Sequence, residues 1–195
     1  MFRSRENYMR IGIDLDGTIT DFYSSLLKHG VEFGEKNFNN GKIKNYNGFE
    51  IWEIFDWTEE EVAIFKEYVR SEMRMGVKPR EGSIEVIKEL HDLGHKIYII
   101  TSRKESDQIN CLENTKLWLE KNNVCYDELI LGNSNKLEEC INHKIDIFVD
   151  DKIKHCKKCF ENGIEVVLID NPYNKDCDLK RVNSFYELRD LIVNR

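Results

Sequence analysis

The 195-residue sequence predicts an α/β protein built on a three-layer parallel sheet, and three observations carry that prediction. Short runs rich in Ile, Val and Leu recur after stretches with helical spacing, the signature of strands joined by crossover helices. Polar residues cluster at the carboxyl ends of several of those runs, the edge where open α/β sheets collect ligands. Residues 22–78 break the pattern: they are rich in aromatics, show no strong strand, and read as a small helical insertion after the first strand.

The first strand is Ile11-Gly-Ile-Asp-Leu15, which turns acidic and breaks at Gly17-Thr18. Asp14 and Asp16 lie two residues apart, so on a strand both side chains leave the same face. In the insertion, Thr58 with Glu61 is a capping-box signature, and Val62, Phe65, Val69 and Met73 mark one face of a helix running to about Arg74. The main domain resumes at Lys78-Pro79, giving 1–21 with 79–195 as the core and 22–78 as the insertion. Ser83 caps a helix to Leu93 that Gly94 ends, and Lys96–Thr101 is the second strand. Asn110–Asn123 is helical, Asp127–Leu131 is the third strand, and Leu137–Asn142 is a short helix. Ile145–Val149 is the fourth strand and ends in Asp150-Asp151. A helix over Lys152–Asn162, a fifth strand Ile164–Ile169 and a last helix from about Ser184 to Val193 complete the chain.

The net charge of −7 disfavours non-specific binding to a phosphate backbone, so nucleic acid is not an expected partner. No apolar run approaches the roughly 18 residues that span a bilayer. The stretch Met1–Tyr8 lacks the apolar core of a signal peptide, and Met9 could serve as the start. The chain therefore reads as cytoplasmic, with six reduced cysteines. His155-Cys156-x-x-Cys159 has a spacing seen in metal sites but no second cysteine pair, and its residues fit the buried face of a helix.

Four polar features fall at or just after strand ends: Asp14 with Asp16, Thr101-Ser102-Arg103, Lys136, and Asp150-Asp151. Several carboxylates around one point repel unless a cation sits among them, and hard oxygen donors favour Mg²⁺. Thr101 and Lys136 offer donors and positive charge to phosphate oxygens. One carboxylate in line with a phosphorus atom can act as nucleophile, and a second can protonate the leaving oxygen and later activate water.

Asp14-Leu-Asp-Gly-Thr18, Thr101, Lys136 and Asp150-Asp151 together resemble the four motifs of the haloacid dehalogenase (HAD) superfamily of phosphohydrolases. The resemblance implies a Rossmann-like sheet of order 3-2-1-4-5, with residues 22–78 as a cap between the first two motifs. It implies Asp14 as nucleophile, forming an aspartyl-phosphate, and Asp16 as general acid and base. The implied Mg²⁺ ligands are the Asp14 carboxylate, the Asp16 main-chain carbonyl and an acid of the Asp150-Asp151 pair, Asp151 directly and Asp150 through water. Gly17, Thr18, Thr101, Ser102, Arg103 and Lys136 are the implied phosphate and substrate contacts.

The substrate is read from a narrower likeness. The opening motif, the aromatic cap and Thr101-Ser-Arg resemble 5′-nucleotidases of the deoxyribonucleotidase type, implying a (deoxy)nucleoside monophosphate. Phe22, Tyr23, Trp52, Phe55 and Trp57 are candidates to stack on a base, or else form the cap's own core. Sugar phosphates and other small phosphomonoesters, a phosphomutase and a non-catalytic binding module on the same scaffold are the alternatives.

Overall fold

A computed structural model describes residues 8–104, 110–132 and 135–194. In chain order, β1 (Arg10–Ile13) is followed by α1 (Phe22–Phe38), α2 (Ile51–Ile54), α3 (Glu59–Tyr68) and α4 (Arg74–Gly76). Then α5 (Ser83–Asp92), β2 (Lys96–Thr101), α6 (Cys111–Lys121), β3 (Glu128–Leu131) and α7 (Lys136–Asn142) alternate. The chain closes with β4 (Ile147–Asp150), α8 (Ile153–Phe160), β5 (Glu165–Ile169), a 3₁₀ turn at Pro172–Asn174, β6 (Arg181–Val182) and α9 (Phe185–Val193).

The six strands form one parallel sheet in the order β3-β2-β1-β4-β5-β6. The expected 3-2-1-4-5 order is present with β6 added at one edge. The two residues of β6 are too short for a periodic signal; they pair with Leu168 and Ile169 of the preceding strand.

Strand alternation divides the core into two layers. Ile11, Ile13, Ile97, Ile99, Ile147 and Val149 face α5, α6 and α9, meeting Val86, Leu90, Trp118, Phe185 and Leu188. Tyr98, Ile100, Phe148, Val166 and Leu168 face α7 and α8, meeting Cys140, Cys156 and Cys159. None of the six cysteines forms a disulfide, and those of the His155-Cys156-x-x-Cys159 stretch are packed as small apolar residues.

Residues 22–77 gather around a core of their own, with Phe55, Trp57, Phe65 and Met73 at its centre. Phe55 and Trp57 stack with ring centroids 4.2 Å apart, and the Trp57 indole donates to the Asn40 carbonyl at 2.8 Å. The Phe55 ring lies so close over Gly30 of α1 that a Cβ there would meet it at 2.2 Å. Both connections to the sheet run side by side: Thr20 bridges Pro79, Asp21 N–H donates to Lys78 O at 2.9 Å, and Arg80 N–H to Ile19 O at 2.8 Å.

Two local expectations are corrected. The helix expected from Thr58 to Arg74 begins with the capping box, but Val69–Met73 winds as a π-turn before α4. The extra residue in that turn keeps Val69 and Met73 inside while the polar face continues. The N-terminus of α5 is set by Gly82 at φ 72°, not by a Ser83 cap; Ser83 is the first helical residue, buried, with its hydroxyl unpaired among the described residues. The final helix does begin at Ser184, whose hydroxyl accepts from Glu187 N–H at 3.2 Å.

Candidate active site

Asp14 and Asp16 follow β1 at the centre of the sheet, where the strand order reverses, and Asp150 ends the neighbouring β4. The topology therefore brings the two acid motifs together across 136 positions of sequence, and Asp14 N–H donates to Val149 O at 2.9 Å. One oxygen each from Asp14, Asp150 and Asp151 lies within 4.8 Å of the others, all three residues being buried.

Lys136, at the start of α7, is buried between two of these acids, with Nζ donating to Asp14 Oδ1 and, at 2.8 Å, to Asp150 Oδ2. Those two carboxylates hold its pKa well up against the effect of burial. Asp150 is saturated with donors: Lys152 N–H bonds Oδ1 at 2.7 Å, and His155 Nδ1 lies 2.9 Å from Oδ2. Its pKa is accordingly depressed despite burial. Among the described residues, the Asp151 carboxylate receives hydroxyls alone, from Thr18 at 3.2 Å and Tyr173 at 2.5 Å. Burial, followed by the charges of Asp150 and Asp14, pushes Asp151 well above the ordinary carboxylate range. Asp14 is raised too, chiefly by burial. The cluster thus sets three buried acids around the Lys136 ammonium, a crowding of hard oxygens that suits Mg²⁺.

Asp16 stands apart from that cluster. Its carboxylate is gripped by Arg103, whose Nε and Nη2 donate at 2.7 and 2.5 Å. Burial opposes the ionised form, yet the guanidinium wins and holds the carboxyl at about 2. Arg103 was expected to contact substrate; the structure places it on Asp16 and, at 3.4 Å, on the Thr115 hydroxyl. Thr101 is buried at the end of β2 and accepts from Arg103 N–H at 3.3 Å. The Ser102 hydroxyl is buried and has no partner among the described residues.

Gly17 and Thr18 build the turn under the acids. Gly17 has φ 89°, and a Cβ there would sit 2.7 Å from Asp151 Oδ2 and 2.9 Å from the Tyr173 hydroxyl. Only glycine meets both conditions. Arg80 holds the turn from below, Nη2 donating to Gly17 O at 2.8 Å and Nε to Thr18 O at 3.2 Å. Asn171 adds a bond to Gly17 O at 3.1 Å, and Asn174 donates to Asp151 O at 2.7 Å. Arg80, Asn171, Tyr173 and Asn174 are not singled out by the sequence, and His155 stands out there only beside the cysteines, not as a partner of Asp150. Asn171-Pro-Tyr-Asn174 is a turn signal after a strand and offered the one hint.

The acids open into a cavity of about 350 Å³, within the usual range of small-molecule sites. Its floor is Asp14, Asp16, Thr101, Ser102, Arg103 and Asp151. Its walls come from the helical segment and from Tyr173. Phe22, Tyr23, Phe49 and Tyr173 form one side, with Tyr23–Tyr173 and Phe49–Tyr173 in edge contact at 4.9 and 5.2 Å. Of the five aromatics considered for stacking, Phe22 and Tyr23 line the cavity. Phe55 and Trp57 are buried in the segment's own core, and Trp52 is 54% exposed outside it. No helix among the described residues is long and apolar enough to cross a membrane.

Residues 7–195 match the family model of the 5′ nucleotidase, deoxy (pyrimidine), cytosolic type C protein. The chain is 30% identical to "Putative nucleotidase YqfW" of Bacillus subtilis, over 92% of this chain and 91% of that protein. The haloacid dehalogenase-like hydrolase SP0104 of Streptococcus pneumoniae superposes with a TM-score of 0.66 at 16% identity, covering 96% of this chain and 99% of that one. The HAD-hydrolase YfnB of Bacillus subtilis, solved bound to magnesium, gives 0.60 at 16% identity over 96% and 99%. At such identities these two likenesses establish the fold.

Proposed function

The chain belongs to the cytosolic type C 5′-nucleotidase family, and from that membership and the cavity's chemistry we propose a Mg²⁺-dependent phosphatase of (deoxy)nucleoside monophosphates acting through an aspartyl-phosphate. The observation that carries this reading is the convergence of Asp14, Asp150 and Asp151 in one buried cluster, with Asp14 and Asp151 lining the cavity beside Asp16 and Thr101. Asp14, Asp151 and the Asp16 carbonyl would hold the ion. Asp151 is preferred to Asp150 because Asp151 lines the cavity, whereas Asp150 is consumed by Lys136, Lys152 and His155. When bound, Mg²⁺ neutralises the acids and polarises the phosphoryl oxygens.

In this reading Asp14 attacks phosphorus, with Lys136 on Oδ1 fixing the carboxylate's orientation. Thr101 and the unpaired Ser102 hydroxyl donate to phosphoryl oxygens as charge develops. Asp16 serves the leaving oxygen and then the attacking water. As held by Arg103 it is ionised, the form required to activate water. An entering phosphoryl group offers Arg103 a second anionic partner, and loosening its grip on Asp16 raises the carboxyl toward the form that protonates a leaving group. Tyr23, Phe49 and Tyr173 offer π-faces to a base and exclude water. Membership of a nucleotidase family and the aromatic wall favour a nucleotide over a sugar phosphate.

Phosphate release from a panel of nucleoside monophosphates and sugar phosphates, with Mg²⁺ and with chelator, tests this reading. Release from deoxynucleoside monophosphates that chelation abolishes is the expected result. Preference for sugar phosphates would overturn the substrate assignment, and undiminished turnover by Asp14→Asn would overturn the mechanism.

A further inference from the structure

The helical wall of the cavity carries cations that the chemistry above does not use. Lys66, Arg70 and Arg74 all line the cavity, from one helical face at successive intervals of four. The π-turn between α3 and α4 lets that face persist: Arg74 N–H bonds Val69 O five residues back, so the wider turn keeps Arg74 aligned behind Arg70. Of the three, Arg74 has buried polar atoms left unpaired. Its Nε and Nη1 are buried and have no acceptor among the described residues. Two buried guanidinium donors without partners are costly, and in a cavity wall they mark where an acceptor of the ligand belongs. Arg74 shares the cavity with Asp16, the group assigned to the leaving oxygen, and with that assignment it falls to the leaving-group portion of the ligand.

A neutral acceptor such as a base carbonyl needs a single donor. A strip of three cations in a chain of net charge −7 answers a charged group. Of the neighbouring acids, Glu50 turns its carboxylate to the N–H of Glu53, and Glu67 pairs with Arg70 at 3.6 Å on the exposed side, where screening leaves the pair weak.

We propose that Arg74, with Lys66 and Arg70 beyond it, is an anion subsite for the leaving group, selecting phosphomonoesters whose alcohol portion carries a second negative charge. This rests on the phosphatase reading for its orientation; in the nucleotide series the matching ligands are nucleoside 3′,5′-bisphosphates.

The test measures kcat/KM and equilibrium binding for a deoxynucleoside 3′,5′-bisphosphate and its 5′-monophosphate. Binding is measured in the Asp14→Asn protein, so that turnover does not interfere. The bisphosphate should be favoured by about tenfold or more in both measurements, as one desolvated charge-assisted contact supplies. Arg74→Met should erase that preference while leaving 5′-monophosphate turnover within about threefold and the melting temperature unchanged. Equal handling of the two ligands by the unmodified chain overturns the subsite, whether or not the variant folds. Equal loss of both substrates in a folded Arg74→Met protein overturns it as well, because Arg74 would then serve the scissile phosphoryl group. A binding preference without any phosphate release leaves the subsite standing and removes the phosphatase reading instead.

Discussion

The two sides of the cavity are built on opposite principles. On the sheet side nearly every polar atom is already engaged: Lys136 bridges Asp14 and Asp150, Tyr173 and Thr18 hold Asp151, and Arg103 clamps Asp16. On the helical side the groups are aromatic faces and cations, and Arg74 keeps two buried donors without acceptors. Chemistry needs atoms fixed to within fractions of an ångström, so its side is cross-braced before substrate arrives. Recognition needs unsatisfied surface, so its side is left open.

The sharpest way to break that contrast is to strike the braced side. Asp14→Asn should lower turnover by about 10⁴-fold or more with an unchanged circular dichroism spectrum, since it deletes the proposed nucleophile and keeps the shape. Lys136→Met should lower stability to urea by about 3–5 kcal/mol, because it removes the cation that two buried carboxylates share. Gly17→Ala should cost about 1–3 kcal/mol, having both a positive φ and Asp151 in the way, with activity falling alongside. On the open side, Phe49→Ala should raise KM several-fold, equivalent to about 1 kcal/mol. It should leave kcat and melting temperature unmoved, because Phe49 is 41% exposed.

The smallest effect is expected at the far edge of the sheet. Burial works against the Asp127 carboxylate, but Lys96 at 2.7 Å and Ile97 N–H at 2.8 Å hold its pKa below 3.8. A depressed pKa contributes stability above about pH 4 that is lost as pH falls through the folded value. Asp127→Asn should therefore cost roughly 0.5–1 kcal/mol at pH 7, with the gap closing in acid and kcat untouched. A large effect on kcat there would show that the bracing extends beyond the carboxyl edge.

The sheet side was also the side legible in the sequence. Apolar strands ending in acids announce themselves locally, and parallel topology then has few ways to arrange them, so Asp14, Asp16, Asp150 and Asp151 could be named as a group. Their supports could not. Arg80, Asn171 and Asn174 act through turns whose partners are set only by the fold, and β6 is two residues long. Arg103 reads from the sequence as a phosphate or substrate contact; its tie to Asp16 joins residues 87 positions apart and is set only by the fold. In the helical segment, aromatic content marked a compact unit without saying which rings faced inward. Phe55 and Trp57 went to its core while Phe49 and, from outside the segment, Tyr173 went to the cavity.

The side-by-side connections at Thr20–Asp21 and Lys78–Arg80 have a practical meaning. A segment that leaves and re-enters at hydrogen-bonded neighbours can be cut at both points and replaced by a short turn, or exchanged for another insert, with no strand of the sheet disturbed. The selectivity of this protein is in that sense a cartridge: grafting 22–77 onto a related sheet should carry ligand preference with it and leave the reaction type behind.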